Sequence, residues 1–80
     1  MRQATITHSS QLRQLLTARR RALHLSQTTL ATKIGVDQTQ LSNIETGRAS
    51  LTVDRLLPLL NVLGLDLVLQ DRNPTNHIGQ

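Results

Sequence analysis

The sequence predicts an all-α domain, a bundle of four to five helices followed by one short C-terminal strand, on three observations. Leucine, isoleucine and alanine recur at spacings of three, four and seven over most of the chain, the period of a helix with one buried face. Ser, Thr or Asp stands before each of these runs and Gly after three of them, the residue types that start and stop helices. Past Gly64 the period shortens to two, which marks a strand.

Ser9 and Ser10 open the first helix, whose stripe of Leu12, Leu15, Leu16, Ala22 and Leu23 carries it over residues 10–23. Arg19, Arg20 and Arg21 fall near its end, where cations offset the helix dipole whatever else they do. Ser26 caps a short second helix bearing Leu30, Ala31 and Ile34, and Gly35 supplies the left-handed residue that ends it. Asp37 caps a third, in which Leu41 and Ile44 lie one turn apart before Gly47. Thr52 starts a fourth with Val53, Leu56, Leu57, Leu60 and Leu63, closed by Gly64. Pro58 has no N–H for the carbonyl four residues earlier, so a kink or break is expected there.

Leu65, Leu67 and Leu69 then alternate with Asp66, Val68 and Gln70. A single strand leaves its own backbone unpaired, and residues 71–80 are polar with Asn73-Pro74 among them. The expected partner is the same strand of a second chain, which makes Leu65, Leu67 and Leu69 dimerisation positions; the weakly alternating residues 2–7 of the same chain are the alternative. The expected organisation is an N-terminal arm (1–9), a helical domain (10–64), a dimerisation strand (65–70) and a flexible tail (71–80).

Composition narrows the function. Eighty residues hold one small domain, which buries only about 60–65% of the surface its unfolded chain exposes. With no cysteine, disulfides and thiolate metal sites are excluded. With no aromatic residue, the stacking platforms of single-strand readers are excluded as well. Neither an apolar signal segment nor a membrane span stands out, so a cytoplasmic protein without a membrane partner is expected. The first 34 residues carry net +6 and the remainder net −2. A basic half suits a polyanionic partner, and a solvated helix face is the plain alternative.

Residues 27–46 have the spacing of a helix-turn-helix. Ala31 must be small where the two helices cross, and Gly35 must allow a positive φ in the tight turn. Leu41 and Ile44 pin the second helix onto the first. An ordinary helical hairpin would require neither the basic flank nor the polar run Gln38-Thr39-Gln40.

Leu25-Ser26-Gln27, Leu30-Ala31, Ile34-Gly35-Val36, Leu41-Ser42-Asn43-Ile44-Glu45-Thr46-Gly47 and Val62-Leu63-Gly64 together resemble the XRE family of phage-repressor-type DNA-binding domains over residues 10–64. At the ends, Ser10-Gln11-Leu12 and Leu65-Asp66-Leu67-Val68-Leu69 are similar to a narrower group, the HipB-type antitoxins. The resemblance implies that the second helix of the motif enters the major groove with Gln38, Thr39, Gln40 and Asn43 at the base edges. Amides can bond adenine bidentately, and Thr can bond a base or touch a thymine methyl. Asp37 is better placed as a helix cap than as a cytosine reader.

The same resemblance places the start of the second helix and Gln27 at one phosphate and Arg48 at the backbone after the third helix. Lys33 and Arg2 are further phosphate contacts or solvated charges. Glu45 would repel DNA, and the resemblance pairs it with Arg20 of the first helix as a structural ion pair. His8, His24 and His77 share no metal-ligand spacing, and His24 stands at a helix end as a cap substitute. Nothing orders Ser, His and Asp into a catalytic set, so no enzyme, cofactor, metal or small-molecule substrate is expected.

The expected protein is therefore a homodimer on a palindromic duplex operator. The resemblance further implies an antitoxin that represses its own operon and neutralises a HipA-like serine/threonine kinase toxin. Two departures stand out: the tail has no aromatic anchor, and Pro58 interrupts a helix. The alternative is a stand-alone phage-type or chromosomal repressor without a toxin partner; a pure protein-interaction module would leave the exposed polar set of the third helix without a purpose.

Overall fold

The computed structural model describes residues 3–73. Four helices follow in order: α1 (Ser9–Ala22), α2 (Gln27–Ile34), α3 (Gln38–Thr46) and α4 (Val53–Leu63). The expected range of four to five helices thus resolves to four among the described residues.

Three of the helices begin as their sequence requires. Ser26 Oγ accepts from the Thr29 N–H at 3.0 Å, Asp37 Oδ1 from the Gln40 N–H at 2.7 Å, and Thr52 Oγ1 from the Arg55 N–H at 3.3 Å. Each side chain satisfies one amide that the first turn leaves without a partner. At α1 the cap position is His8, one residue ahead of the expected serines, and it is Gln11 that does the capping. Gln11 Oε1 accepts the N–H groups of Thr7 at 2.8 Å and His8 at 3.1 Å.

Gly35, Gly47 and Gly64 end α2, α3 and α4 in the left-handed region. At Gly35, φ is +78°, and a Cβ built there would meet nothing within 4 Å, so the backbone angle and not crowding calls for glycine. His24 takes the corresponding position after α1 with φ +57°, donating its N–H to Arg21 O while the Leu25 N–H reaches Arg20 O. A branched-Cβ-free but non-glycine residue at that angle is strained by about 1–2 kcal/mol.

Of the kink or break expected at Pro58, the break does not occur: α4 runs through it. The carbonyl that Pro58 leaves without a donor belongs to Asp54 in the first turn, where the chain has most freedom to tilt it toward water.

α1 packs on α3 and α4, and α2 packs on the same two helices, so one core fills the space between the pairs. Leu30, Leu41, Leu59 and Leu63 lie at its centre, each no more than 1% exposed. Ala31, also 1% exposed, keeps α2 close to its neighbours. With aliphatic side chains alone, the core depends on close packing of leucines rather than on aromatic area.

Residues 65–70 leave α4 with the Leu65 N–H held by Leu60 O at 2.9 Å. Among the described residues no strand ladder forms, within this segment or between it and residues 3–7. The two segments face one open groove floored by Leu12 and Leu15 of α1 and Leu56 and Leu60 of α4, and Gln3 Nε2 donates to Gln70 Oε1 across it at 3.1 Å. Arg2, His77 and the tail beyond Asn73 lie outside the described residues. No described helix is long and apolar enough to cross a membrane.

Candidate nucleic-acid interface

Leu41 and Ile44 are buried and hold α3 by one face, so the opposite face is left to solvent. Gln38, Thr39 and Gln40 are exposed on its first turn, and Asn43 follows one turn later, half-buried. The four are not equivalent. Gln40 reaches back to the helix start, where its Oε1 accepts from the Asp37 N–H at 2.9 Å, completing a reciprocal cap with Asp37. Its carbonyl is thereby turned to the backbone, and its NH₂ group is the end left toward another partner. Asn43 has its main-chain carbonyl taken by the Ala49 N–H at 3.0 Å.

Gln38 is anchored from the interior by a chain of polar contacts. Arg20 and Glu45 face each other with side chains 8% and 7% exposed, Nε to Oε2 at 2.8 Å and Nη2 to Oε1 at 3.2 Å. Arg20 Nη1 also donates to Leu25 O at 2.9 Å, tying the end of α1 to the same group. Glu45 Oε1 accepts from Gln27 Nε2 at 2.8 Å, and Gln27 Oε1 accepts from Gln38 Nε2 at 3.1 Å.

The direction of this chain follows from its buried end. A carboxylate paired with Arg can only accept, so Gln27 must present its NH₂ to Glu45 and its oxygen outward. That oxygen takes one amide hydrogen of Gln38, which leaves Gln38 with a carbonyl oxygen and one N–H that meet no partner among the described residues. An acceptor and a donor on one planar group match the N6 and N7 edge of adenine.

Gln27 therefore sits between Glu45 and Gln38 as well as at the first position of α2, where the N–H groups of the first turn lack helical partners. Lys33 is exposed in the last turn of α2, and Arg48 is exposed in the turn after α3. Among the described residues neither closes a helix end as other cations do: Arg13 donates to Ile44 O at 3.1 Å and Arg19 to Leu63 O at 2.9 Å, each at the end of a neighbouring helix. Sequence reasoning missed these two caps. For Arg13 a signal was present, since Arg13, Leu16 and Arg20 share one face of α1.

Leu65 is half-buried, whereas Leu67 and Leu69 are 57% and 91% exposed, an apolar edge beside the open groove. Among the described residues no group of three His, Asp or Glu side chains is placed to hold a metal ion.

A family model described as helix-turn-helix matches residues 16–70. No curated protein matches the chain in sequence. Among solved structures, one described as a HipA-HipB-O2-O3 complex has a chain 28% identical, covering 89% of this chain and 100% of that one, with a TM-score of 0.79. One described as a HipB-O4 20mer complex is 28% identical with the same coverage and a TM-score of 0.78. A third, described as a HipB-O1-O2 complex, is 29% identical, covers 86% of this chain and 100% of that one, and has a TM-score of 0.77.

Proposed function

The chain belongs to the XRE-type helix-turn-helix family, and we propose that it is a sequence-specific DNA-binding repressor that serves as the antitoxin of a type II toxin-antitoxin pair. The observation that carries the DNA-binding part is the polar chain from Arg20–Glu45 through Gln27 to Gln38, which holds an outward amide in one orientation on an exposed helix. The likeness over nearly the whole length to HipB chains in complexes with HipA and with a 20mer supports the rest.

In this reading α3 lies in the major groove. Gln38 reads a base with its free carbonyl and N–H, Thr39 and Asn43 contact neighbouring positions, and the Gln40 NH₂ adds a donor. The free amides at the start of α2, with Gln27 beside them, take one phosphate, and Arg48 and Lys33 take others. These backbone contacts set register, and the base contacts set sequence.

The leucines after α4, half-buried Leu65 with exposed Leu67 and Leu69, pair across a two-fold axis, the edge of one chain against that of a second. Two copies of α3 then read a palindromic operator, with half-sites about 10 bp apart or a multiple of it. Autoregulation follows if the operator lies before the chain's own gene, and a HipA-like serine/threonine kinase is the partner neutralised. No step of this function requires catalysis by the chain itself, a cofactor or a small-molecule substrate.

A pull-down of the tagged chain from its native cytoplasm, with and without nuclease, tests the pairing. A stoichiometric kinase-like partner that survives nuclease is the expected result. Recovery of DNA alone would establish the stand-alone repressor instead.

A further inference from the structure

We propose that Arg13, a residue of α1 away from the α3 reading face, is a positioning residue for DNA binding, because its guanidinium fastens the turn that carries Arg48; this rests on the reading of Arg48 as a phosphate contact. The turn from Gly47 to Ser50 joins the end of α3 to the approach to α4, and Arg48 is its cation. The last carbonyls of a helix have no helical donor, and those at the end of α3 are closed from two directions. Inside the turn, the Ala49 N–H donates to Asn43 O at 3.0 Å and the Gly47 N–H to Ile44 O at 3.3 Å.

From α1, Arg13 Nε donates to Ile44 O at 3.1 Å and Nη2 to Ala49 O at 3.4 Å, so one planar group spans the residues before and after Arg48. Arg13 Nη1 holds Ser9 Oγ at 3.1 Å, which anchors the guanidinium to its own helix. A Cβ built on Gly47, whose φ is +84°, would stand 3.9 Å from Arg13 Cζ, so the side chain lies directly along the turn.

The charge also suits the place, since a cation at the end of α3 meets the negative pole of that helix dipole. Arg13 is half-buried and each of its three nitrogens donates to a protein oxygen, three of its five N–H groups in all, so the proposed action on DNA runs through Arg48. Cutting Arg13 loose leaves Ala49 O without that donor and Ile44 O with the Gly47 N–H alone, and releases the backbone on both sides of Arg48. The phosphate contact then loses its fixed register while the base-reading residues at the start of α3 stay in place.

The test uses the full chain and a fluorescent duplex of arbitrary sequence, with binding followed between about 50 and 200 mM salt, where each phosphate contact adds about 0.9 to the slope of log affinity against log salt. Arg48→Ala should lower the slope by about that amount. Arg13→Met, which keeps the aliphatic stem and removes the donors, should lower it comparably, and the double variant should fall no further than either single one. Arg13→Lys, with one ammonium in place of the planar fork, should restore part of the slope and serves in place of Arg13→Met if that variant does not fold. An unchanged slope in a folded Arg13 variant, with Arg48→Ala reduced, would overturn the positioning role alone. An additive fall would make Arg13 a phosphate contact in its own right and overturn it too. No change with Arg48→Ala would remove the reading on which it rests.

Discussion

Glu45 and Gln38, both on α3, are joined through the side chain of Gln27, which donates to the first at 2.8 Å and accepts from the second at 3.1 Å. The buried pair of Arg20 and Glu45 thus does two things at once. It ties α1 to α3, and it sets which end of the Gln38 amide faces outward.

Glu45→Gln should cost about 3–5 kcal/mol, because Arg20 is left buried without its counter-charge. At about 4–8 °C per kcal/mol for a domain of this size, the melting temperature should drop by about 12 °C or more. A fall of under about 4 °C would show that solvent compensates Arg20 and that the pair contributes little.

Gln38→Ala should lose about 1–3 kcal/mol at one operator base pair and blunt the preference there. Gln27→Ala should act in the same direction on the same base pair, since it frees the Gln38 amide to rotate. Equal loss on specific and non-specific duplexes in binding titrations would remove Gln38 from base reading.

His24→Gly should stabilise the chain. Relief of the strain at φ +57° gives about 1–2 kcal/mol, and the added freedom of glycine in the unfolded chain takes back about 0.5–1. The net is a rise of a few degrees in the melting temperature, and a fall would mean that the His24 side chain makes a contact worth more than the strain.

How far these features could be read in advance depends on how local they are. Ser26, Asp37 and Thr52 cap their helices through neighbours three residues away, and Gly35, Gly47 and Gly64 end them by backbone angle alone, so sequence suffices for both. The start of α1 slipped by a residue because Gln11, a side chain inside the helix, supplied the cap from behind. Gln40 shows the reverse: the spacing of Asp37 and Gln40 already fits a reciprocal cap, yet its place in a polar run drew attention to bases instead. Arg13 and Arg19 close helices distant in sequence: the shared face with Leu16 and Arg20 turns Arg13 inward, but which carbonyls the two cations meet is set by tertiary packing. At Pro58 a rule for helix interiors met a position so near the first turn that the helix continues.

Leu67→Asp should yield monomers in sedimentation, since the charge falls on the apolar edge that a second chain would cover. A dimer that persists would place the interface on another surface.

The most direct measurement is selection by the chain from a pool of randomised duplexes, followed by sequencing of what it retains. Two-fold symmetric sequences with half-sites about 10 bp apart, or a multiple of that, are the predicted result. Retention without any sequence enrichment would contradict a repressor that reads bases through α3.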